Sequence, residues 1–103
     1  MEIRPAEVED AAAITECVAA AYRHYIARIG KPPGPMLDDY TAVIQQHRVF
    51  IFVDGMRVVG ALVTIKQGES LLLDNVAVHP EYQGRGLGRE LVAFAEEEAR
   101  RLG

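Results

Sequence analysis

Three glycines alternate at positions 84, 86 and 88, and this short stretch constrains the fold more than any other part of the chain. The apolar run 71–78 before it predicts a β-strand, and apolar residues at helical spacing from Leu87 predict a helix after it. Because glycine lacks a Cβ atom, the backbone can turn tightly here and direct successive N–H groups at one point. The positive end of the helix dipole lies at the same place. The stretch therefore predicts a strand–loop–helix unit that binds a phosphate or a pyrophosphate.

The spacing of the glycines separates this loop from two common phosphate loops. A dinucleotide-binding fingerprint needs a further glycine at the position of Arg89, and the Gly-Lys-Ser or Gly-Lys-Thr of a Walker loop does not occur. What remains is Gln83, two residues, Gly86, one residue and Gly88. Arg85 and Arg89 add positive charge to a chain whose formal net charge is −4. A simple turn before a helix is the alternative interpretation of the loop.

The first part of the chain predicts a short strand and two helices. The strand is placed at residues 3–5, and the acidic Glu9 and Asp10 mark the N-terminus of the first helix. Gly30 ends this helix, and the prolines within 32–35 prevent it from continuing. The apolar stripe of the first helix is formed by Ile14, Val18, Tyr22, Tyr25 and Ile29. A second, shorter helix is predicted from Leu37, Tyr40, Val43 and Ile44.

The middle of the chain predicts three strands. Residues 49–53 and 57–66 form two of them, joined by Asp54-Gly55, which is a strong hairpin signal. Gly60 is a candidate for a bulge or a close approach. The run 71–78 is nearly continuous in apolar residues, so we expect a strand that is covered on both faces. The resulting element order is β-α-α-β-β-β-α, which predicts an α/β (α+β) fold.

The composition indicates one ordinary globular domain over residues 1–103. Half of the residues are hydrophobic and a quarter are charged, and no apolar run approaches the roughly 20 residues of a membrane-spanning helix. The net charge of −4 gives no basic field for nucleic acid. The N-terminus lacks the pattern of a signal peptide, so a cytoplasmic location is expected. Neither a disulfide nor a metal site is expected from the single Cys17 and the scattered His24, His47 and His79.

The motif formed by Gln83, Gly86 and Gly88 resembles the defining motif of the GCN5-related N-acetyltransferase (GNAT) family, which is Gln or Arg, two residues, Gly, one residue, and Gly or Ala. Residues 73–80, LDNVAVHP, are similar to that family's fourth strand, and residues 3–6 with the acidic helix start are similar to its opening. The resemblance implies a GNAT-like mixed sheet. It also implies that residues 1–103 are the N-terminal portion of a domain truncated at its C-terminus, lacking the family's C-terminal strands and helix.

The resemblance further implies that the loop binds acetyl-coenzyme A (acetyl-CoA), the acetyl donor of the family. It places the pyrophosphate on backbone amides of the loop and the pantetheine arm along the preceding strand, paired as an added strand would be. A strand N–H would also stabilise the oxyanion of the thioester. The implied coenzyme-binding residues are Val76, Ala77, Val78, Gln83, Gly84, Arg85, Gly86, Leu87, Gly88 and Arg89.

The implied reaction is direct transfer of the acetyl group to a primary amine, which requires no nucleophilic serine or cysteine. The amine must first lose a proton, since a lysine-like amine has a pKa of about 10.4. Asp74 is the candidate base because it shares a strand face with Val76 and Val78; a carboxylate that caps a turn is the alternative. Cys17 is expected to be a packed helix residue. No residue is assigned as the acid that protonates the leaving thiolate.

Two further expectations concern partners. The acceptor is a small-molecule or peptide amine, and Tyr22, Tyr25 and Tyr40 are candidates to line its pocket. Tyr22 and Tyr25 lie on the apolar stripe of the first helix, which favours packing in the core for these two. Without a further strand beside it, the run 71–78 would be an exposed apolar edge, which favours a homodimer. The alternative function is therefore a truncated, non-catalytic acetyl-CoA-binding or dimerisation module.

Overall fold

The computed structural model describes residues 1–29 and 38–102, with side chains described for 1–23 and 38–101. The predicted helix end at Gly30, the loop that follows it, and the side chains of His24 and Tyr25 lie outside the described residues. The described elements are β1 (Glu2–Pro5), α1 (Ala11–Ile29), α2 (Tyr40–Gln46), β2 (Arg48–Asp54), β3 (Arg57–Gln67), β4 (Ser70–Val78) and α3 (Leu87–Leu102). Single turns of 3₁₀ helix, Val8–Asp10 and Pro80–Tyr82, precede α1 and α3.

The strands form one sheet in the order β1-β2-β3-β4, and each described pair of neighbours is antiparallel. Helices α1 and α2 pack on one face of the sheet and α3 packs on the other. The predicted element order and the α/β (α+β) class are confirmed. The parallel pairing of a mixed sheet does not arise among these four strands. In the described sheet, β4 is an edge strand.

The central strand β2 shows how the sheet builds its two cores. Val49, Ile51 and Val53 pack with α1 and α2. Phe50 and Phe52 pack with α3. Because side chains alternate between the faces of a strand, a strand covered on both faces must be apolar at every position. The apolar run that predicted this strand is explained by helices on both sides of it.

Gly60 of β3 lies where the sheet comes close to α3. The register between β2 and β3 shifts beside it, since Phe52 pairs with Gly60 whereas Val53 pairs with Val58. A Cβ atom at Gly60 would lie 3.1 Å from Leu91 Cδ1 and 3.3 Å from Phe52 Cβ. Gly60 therefore adjoins a bulge and permits a close approach, and the prediction made for it is confirmed.

The prediction that β4 is covered on both faces is wrong for its first half. Asn75 and Ala77 are buried, but Leu72 and Leu73 are 44% and 42% exposed. An apolar run is typical of a strand inside a sheet, yet the run does not determine what lies beside the strand. In the described sheet β4 pairs with β3 alone, so this run forms the exposed apolar edge that the resemblance implied.

Asp10 fixes the entry into α1. Its carboxylate accepts hydrogen bonds from Arg4 Nη1 and Nη2 at 2.9 and 3.0 Å and from the backbone N–H of Glu7 at 2.7 Å. The hydrogen bonds from Arg4 hold the pKa of Asp10 below its ordinary value. This ion pair ties the end of β1 to the acidic helix start that the sequence predicted.

Candidate functional site

The glycine loop lies exposed between β4 and α3. Gly84 and Gly86 have φ angles of +82° and +79°, and a Cβ atom on either would meet nothing within 4 Å. Glycine is therefore required here by the backbone conformation and not by lack of space. The N–H of Glu90 donates to the carbonyl of Gly86 at 3.1 Å, which opens the helix. The preceding N–H groups, of residues 86–89, have no acceptor within the helix, and a helix terminus of this kind suits an anion.

Gly88 brings the start of α3 against β4. A Cβ atom at Gly88 would lie 3.7 Å from Val76 Cγ1 and 3.8 Å from Val78 Cγ2, which is ordinary contact. The neighbouring Leu87 is buried. The helix N-terminus and the C-terminal half of β4 are therefore adjacent.

The hydrogen-bond pattern of β4 determines which backbone groups face its free edge. The N–H of His79 donates to the carbonyl of Val59 at 2.9 Å, so this residue is bonded towards β3. Because backbone groups alternate in direction along an antiparallel strand, those of Val78 and Val76 face away from β3, and those of Ala77 face it. The structure thus brings two of the three predicted strand residues to the free edge and places Ala77 in the ladder opposite Ala61.

Both carbonyls on this edge have side-chain donors. The side-chain amide of Gln83 donates to the carbonyl of Val78 at 3.0 Å, and the Tyr22 hydroxyl lies 3.2 Å from the carbonyl of Val76. Gln83, the first residue of the sequence motif, therefore attaches the loop to the last residue of β4. Tyr22 attaches α1 to the middle of the same edge.

Asp74 lies at an irregularity of β4. Val63 pairs with Asn75 and Thr64 pairs with Leu73, so Asp74 is an extra residue without a partner on β3. Its side chain is exposed. A bulge bends its strand and redirects a side chain, and here it presents a carboxylate two residues before Val76. The bulge appears in no sequence pattern, because it is defined by pairing with β3.

Asn75 is a site residue that the sequence analysis missed. It is buried, its Oδ1 accepts from the Tyr22 hydroxyl at 2.9 Å, and its Nδ2 donates to the Tyr40 hydroxyl at 3.2 Å. Burial, and next the charge of Asp38, raise the pKa of Tyr40 above its ordinary value. Tyr22 packs against the core, as one of the two interpretations of this residue predicted, and Tyr40 is buried in the same core. The sequence signal that could have identified Asn75 was its position as a single side-chain amide within an apolar run.

A second set of contacts that the sequence did not predict surrounds Tyr82, just before the loop. The Tyr82 hydroxyl donates to Asp54 Oδ2 at 2.6 Å, and this hydrogen bond raises the pKa of Tyr82. The guanidinium of Arg85 lies over the Tyr82 ring, 5.0 Å from its centroid. Asp54 belongs to the β2–β3 hairpin, so the turn just before the loop is bonded to a residue 28 positions earlier in the chain. Arg89, the other predicted cation, is exposed on the first turn of α3.

Outside the loop and β4, the described part of the chain offers little reactive chemistry. Cys17 is 2% exposed, and burial raises the pKa of its thiol to about 11, so it remains protonated near neutral pH. The prediction that it is a packed helix residue is confirmed. Among the described residues, no three His, Cys, Asp or Glu side chains come together to hold a metal ion. Within the same residues, no helix has both the length and the apolarity needed to cross a membrane.

The sequence matches a family model described as an acetyltransferase (GNAT) domain over residues 45–103. This span contains β4, the glycine loop and α3. No curated protein matches the sequence at a significant level.

Solved structures of acetyltransferases share the fold. The ribosomal-protein-S18-alanine N-acetyltransferase of Escherichia coli superposes with a TM-score of 0.78 at 21% identity, over 99% of this chain and 61% of that one. The PaiA N-acetyltransferase of Thermoplasma acidophilum in complex with coenzyme A gives a TM-score of 0.79 at 18% identity, over 99% and 73%. A GNAT family acetyltransferase of Brucella melitensis in complex with acetyl-CoA gives 0.76 at 19%, over 99% and 70%. At these identities the likeness is one of fold, and the chain spans 61% of the E. coli enzyme.

The family assignment rests on the matched family model, and the fold agrees with it. The matched model covers more than half of the 103 residues, and the superposed structures reproduce almost all of the chain's fold. The motif residues Gln83, Gly86 and Gly88 lie in the loop between β4 and α3, where the sequence resemblance put them. The chain therefore belongs to the GNAT acetyltransferase domain family.

Proposed function

We propose that this protein transfers an acetyl group from acetyl-CoA to a primary amine. The observation that carries the proposal is the exposed glycine loop at the N-terminus of α3, adjacent to the free edge of β4. The loop offers backbone N–H groups at a positive helix end, which suits a pyrophosphate. The edge offers the backbone groups of Val76 and Val78, which suit an extended arm with amides of its own. Two solved structures with the same fold contain coenzyme A or acetyl-CoA.

The residues present fit the coenzyme on steric grounds as well. Gly84 and Gly86 leave the approach to the loop amides open, since neither has a side chain and nothing lies within 4 Å of their Cβ positions. The side chain of Gln83 donates a hydrogen bond to the carbonyl of Val78. The N–H of Val78 is left to face an arriving ligand. We assign the pyrophosphate to the amides of residues 83–89 and the pantetheine arm to the β4 edge.

The chemistry requires little covalent participation by the protein. The acceptor nitrogen attacks the thioester carbonyl carbon, the C–N bond forms, the C–S bond breaks, and the thiolate takes up a proton. A strand N–H at Val76 or Val78 would stabilise the negative charge on the oxygen. Asp74 is the proposed base that accepts the proton from the amine, because it is an exposed carboxylate at the bulge of β4, two residues before Val76. The proposed acceptor class is a small-molecule or peptide amine.

A second candidate function is a non-catalytic acetyl-CoA-binding or dimerisation module. The observation that favours it is the open edge of β4 with the exposed Leu72 and Leu73, because an unpaired edge strand can recruit another chain. The proposed partner is a second copy of the chain.

We also propose a cytoplasmic location, since one buried free cysteine fits a reducing compartment.

Two measurements separate these functions. Calorimetry with coenzyme A tests the site, and turnover of acetyl-CoA with a panel of amines tests catalysis; the panel holds a peptide N-terminus, lysine, a free amino acid and a polyamine. Binding with turnover supports the transferase, and binding without turnover supports the module. Absence of binding overturns both coenzyme-based functions.

Sedimentation at micromolar concentration tests the dimer. A dimer that Leu72→Lys converts to a monomer supports pairing through the β4 edge, since a charge on an edge strand opposes such pairing. Glu69→Lys is the matched control and should leave the dimer intact, because Glu69 lies in the exposed turn between β3 and β4. A stable wild-type monomer contradicts the proposed pairing.

A further inference from the structure

The segment between β4 and the glycine loop is attached to the β2–β3 hairpin by side-chain bonds at Glu81 and Tyr82, in addition to a contact of 3.0 Å between Arg57 Nη2 and His79 Nε2. The hydroxyl of Tyr82 donates to Asp54 Oδ2 at 2.6 Å, and Arg57 Nη1 lies 2.9 Å from Glu81 Oε2. Asp54 ends β2 and Arg57 begins β3. Both bonds therefore run from a hairpin, held in the sheet by its ladder, to the residues that lead into the loop.

The loop itself has few side chains by which it could be held. Gly84 and Gly86 flank Arg85, and glycine gives the backbone more freedom than any other residue. The guanidinium of Arg85 lies 5.0 Å from the centroid of the Tyr82 ring. Arg57 lies over the same ring at 5.8 Å. A cation over an aromatic face is attracted to it, so the Tyr82 ring offers Arg85 of the loop a favourable contact.

We propose that Tyr82, anchored by Asp54, is a positioning residue that holds Arg85 and the adjoining glycines in the conformation that receives the coenzyme pyrophosphate. The inference rests on the proposed coenzyme site and adds a residue pair outside the sequence motif. The physical basis is preorganisation: a loop that is already ordered gives up less conformational freedom when a ligand binds. Asp54 acts through Tyr82, and Tyr82 acts through Arg85.

A purely structural role for Tyr82 is the competing explanation. Its ring packs beside the cluster that contains Phe50, Phe52 and Leu91, so a large truncation would disturb the core. Tyr82→Phe avoids this, because it keeps the ring and removes the hydroxyl that reaches Asp54. Asp54→Ala removes the carboxylate that accepts this hydrogen bond. Asp54→Asn keeps a side-chain oxygen that can accept it.

The experiment uses calorimetry with coenzyme A on the full chain. Tyr82→Phe and Asp54→Ala should each raise the dissociation constant about three- to tenfold, the scale of one lost ordinary hydrogen bond, because this bond is exposed to solvent. The double variant should be no weaker than either single variant, since both break the same connection. Asp54→Asn should restore most of the affinity. Glu97→Gln, which breaks an exposed ion pair with Arg100 on α3, is the control and should bind as the wild type does.

A second readout needs no ligand. In ligand-free protein, ¹⁵N relaxation of the Gly84 and Gly86 amides should show order parameters that fall from about 0.85 towards 0.6 in Tyr82→Phe. If these amides stay as ordered as in the wild type, the positioning role is wrong whatever the affinity. If the wild type binds no coenzyme A, the proposed function fails, and the relaxation measurement alone decides the role of Tyr82.

Discussion

Gln83 donates its side-chain amide to the backbone carbonyl of Val78 at 3.0 Å, which joins the glycine loop to the end of β4. Gln83→Glu replaces this donor with a carboxylate that the carbonyl repels. We expect coenzyme A to bind about three- to tenfold more weakly, as for one lost hydrogen bond. Gln83→Arg supplies a donor again and should bind as the wild type does in calorimetry. Equal losses in the two variants would show that this bond does not support the site.

Gly86 and Gly68 form a matched pair of positive-φ glycines, at +79° and +60°, and both have open space around the Cβ position. Valine at either position is strained by about 1–2 kcal/mol, so both variants should lose similar stability in urea. Only Gly86→Val also places a branched side chain beside the proposed pyrophosphate. We expect it to weaken coenzyme A binding by about tenfold or more, with Gly68→Val unchanged. Unchanged affinity in a folded Gly86→Val protein would exclude the loop as the pyrophosphate site.

Asp74 should affect the rate of transfer more than the binding of the coenzyme. Removal of a general base costs about 10² to 10⁴ in rate, so Asp74→Asn should lower kcat by that range and leave the coenzyme A dissociation constant unchanged. Glu69→Gln removes an exposed carboxylate from the turn of the same hairpin and should retain kcat. Normal turnover of Asp74→Asn near neutral pH would assign the base to another group.

Two Gly→Ala variants should shift stability in opposite directions. At Gly60 a methyl group would lie 3.1 Å from Leu91 and 3.3 Å from Phe52, and overpacking of this kind costs about 1–3 kcal/mol. At Gly88 the nearest atoms, on Val76 and Val78, lie at 3.7 and 3.8 Å. Alanine there should stabilise α3 by up to about 1 kcal/mol, because it favours helix. Urea denaturation of both variants measures the change in the free energy of unfolding. Changes of the same sign in the two variants would contradict this prediction.

The Arg4–Asp10 pair should make stability depend on pH in the acid range. Arg4 holds the pKa of Asp10 below its ordinary value, so the pair stabilises the fold above the unfolded-state pKa of about 3.9. This stabilisation is lost as the pH falls through the lower folded-state pKa. Asp10→Asn should therefore unfold more easily at pH 7, with the difference from wild type vanishing towards pH 2. Glu97→Gln, in an exposed pair, should show a much smaller difference.

Local patterns predicted the elements well because the signals are themselves local. Asp54-Gly55 marked the hairpin between β2 and β3, and Gly55 adopts the positive φ of +62° that such a turn requires. The alternating glycines marked the loop in the same way, because Gly84 and Gly86 also adopt positive φ angles. The exposure of Leu72 and Leu73 was not predictable in this way, because burial of a strand depends on what lies beside it.

Contacts distant in sequence account for the other differences. The bulge at Asp74 depends on the register between β3 and β4, which no single strand specifies. The Tyr82–Asp54 bond joins residues 28 positions apart, and the Tyr22–Asn75 bond joins residues 53 positions apart. Each needs the folded sheet before its partners meet.

The Tyr22 hydroxyl has one hydrogen but faces two acceptors, Asn75 Oδ1 at 2.9 Å and the Val76 carbonyl at 3.2 Å. One O–H cannot bond both fully at the same time, and the carbonyl has the longer of the two bonds. If a ligand amide arrives at the β4 edge, it can take over the Val76 carbonyl while Tyr22 keeps Asn75. The exchange replaces one donor by another and leaves no buried polar group unsatisfied. A ligand amide at this edge would thus replace the Tyr22 hydroxyl as the donor to the Val76 carbonyl, at the cost of the longer of its two hydrogen bonds.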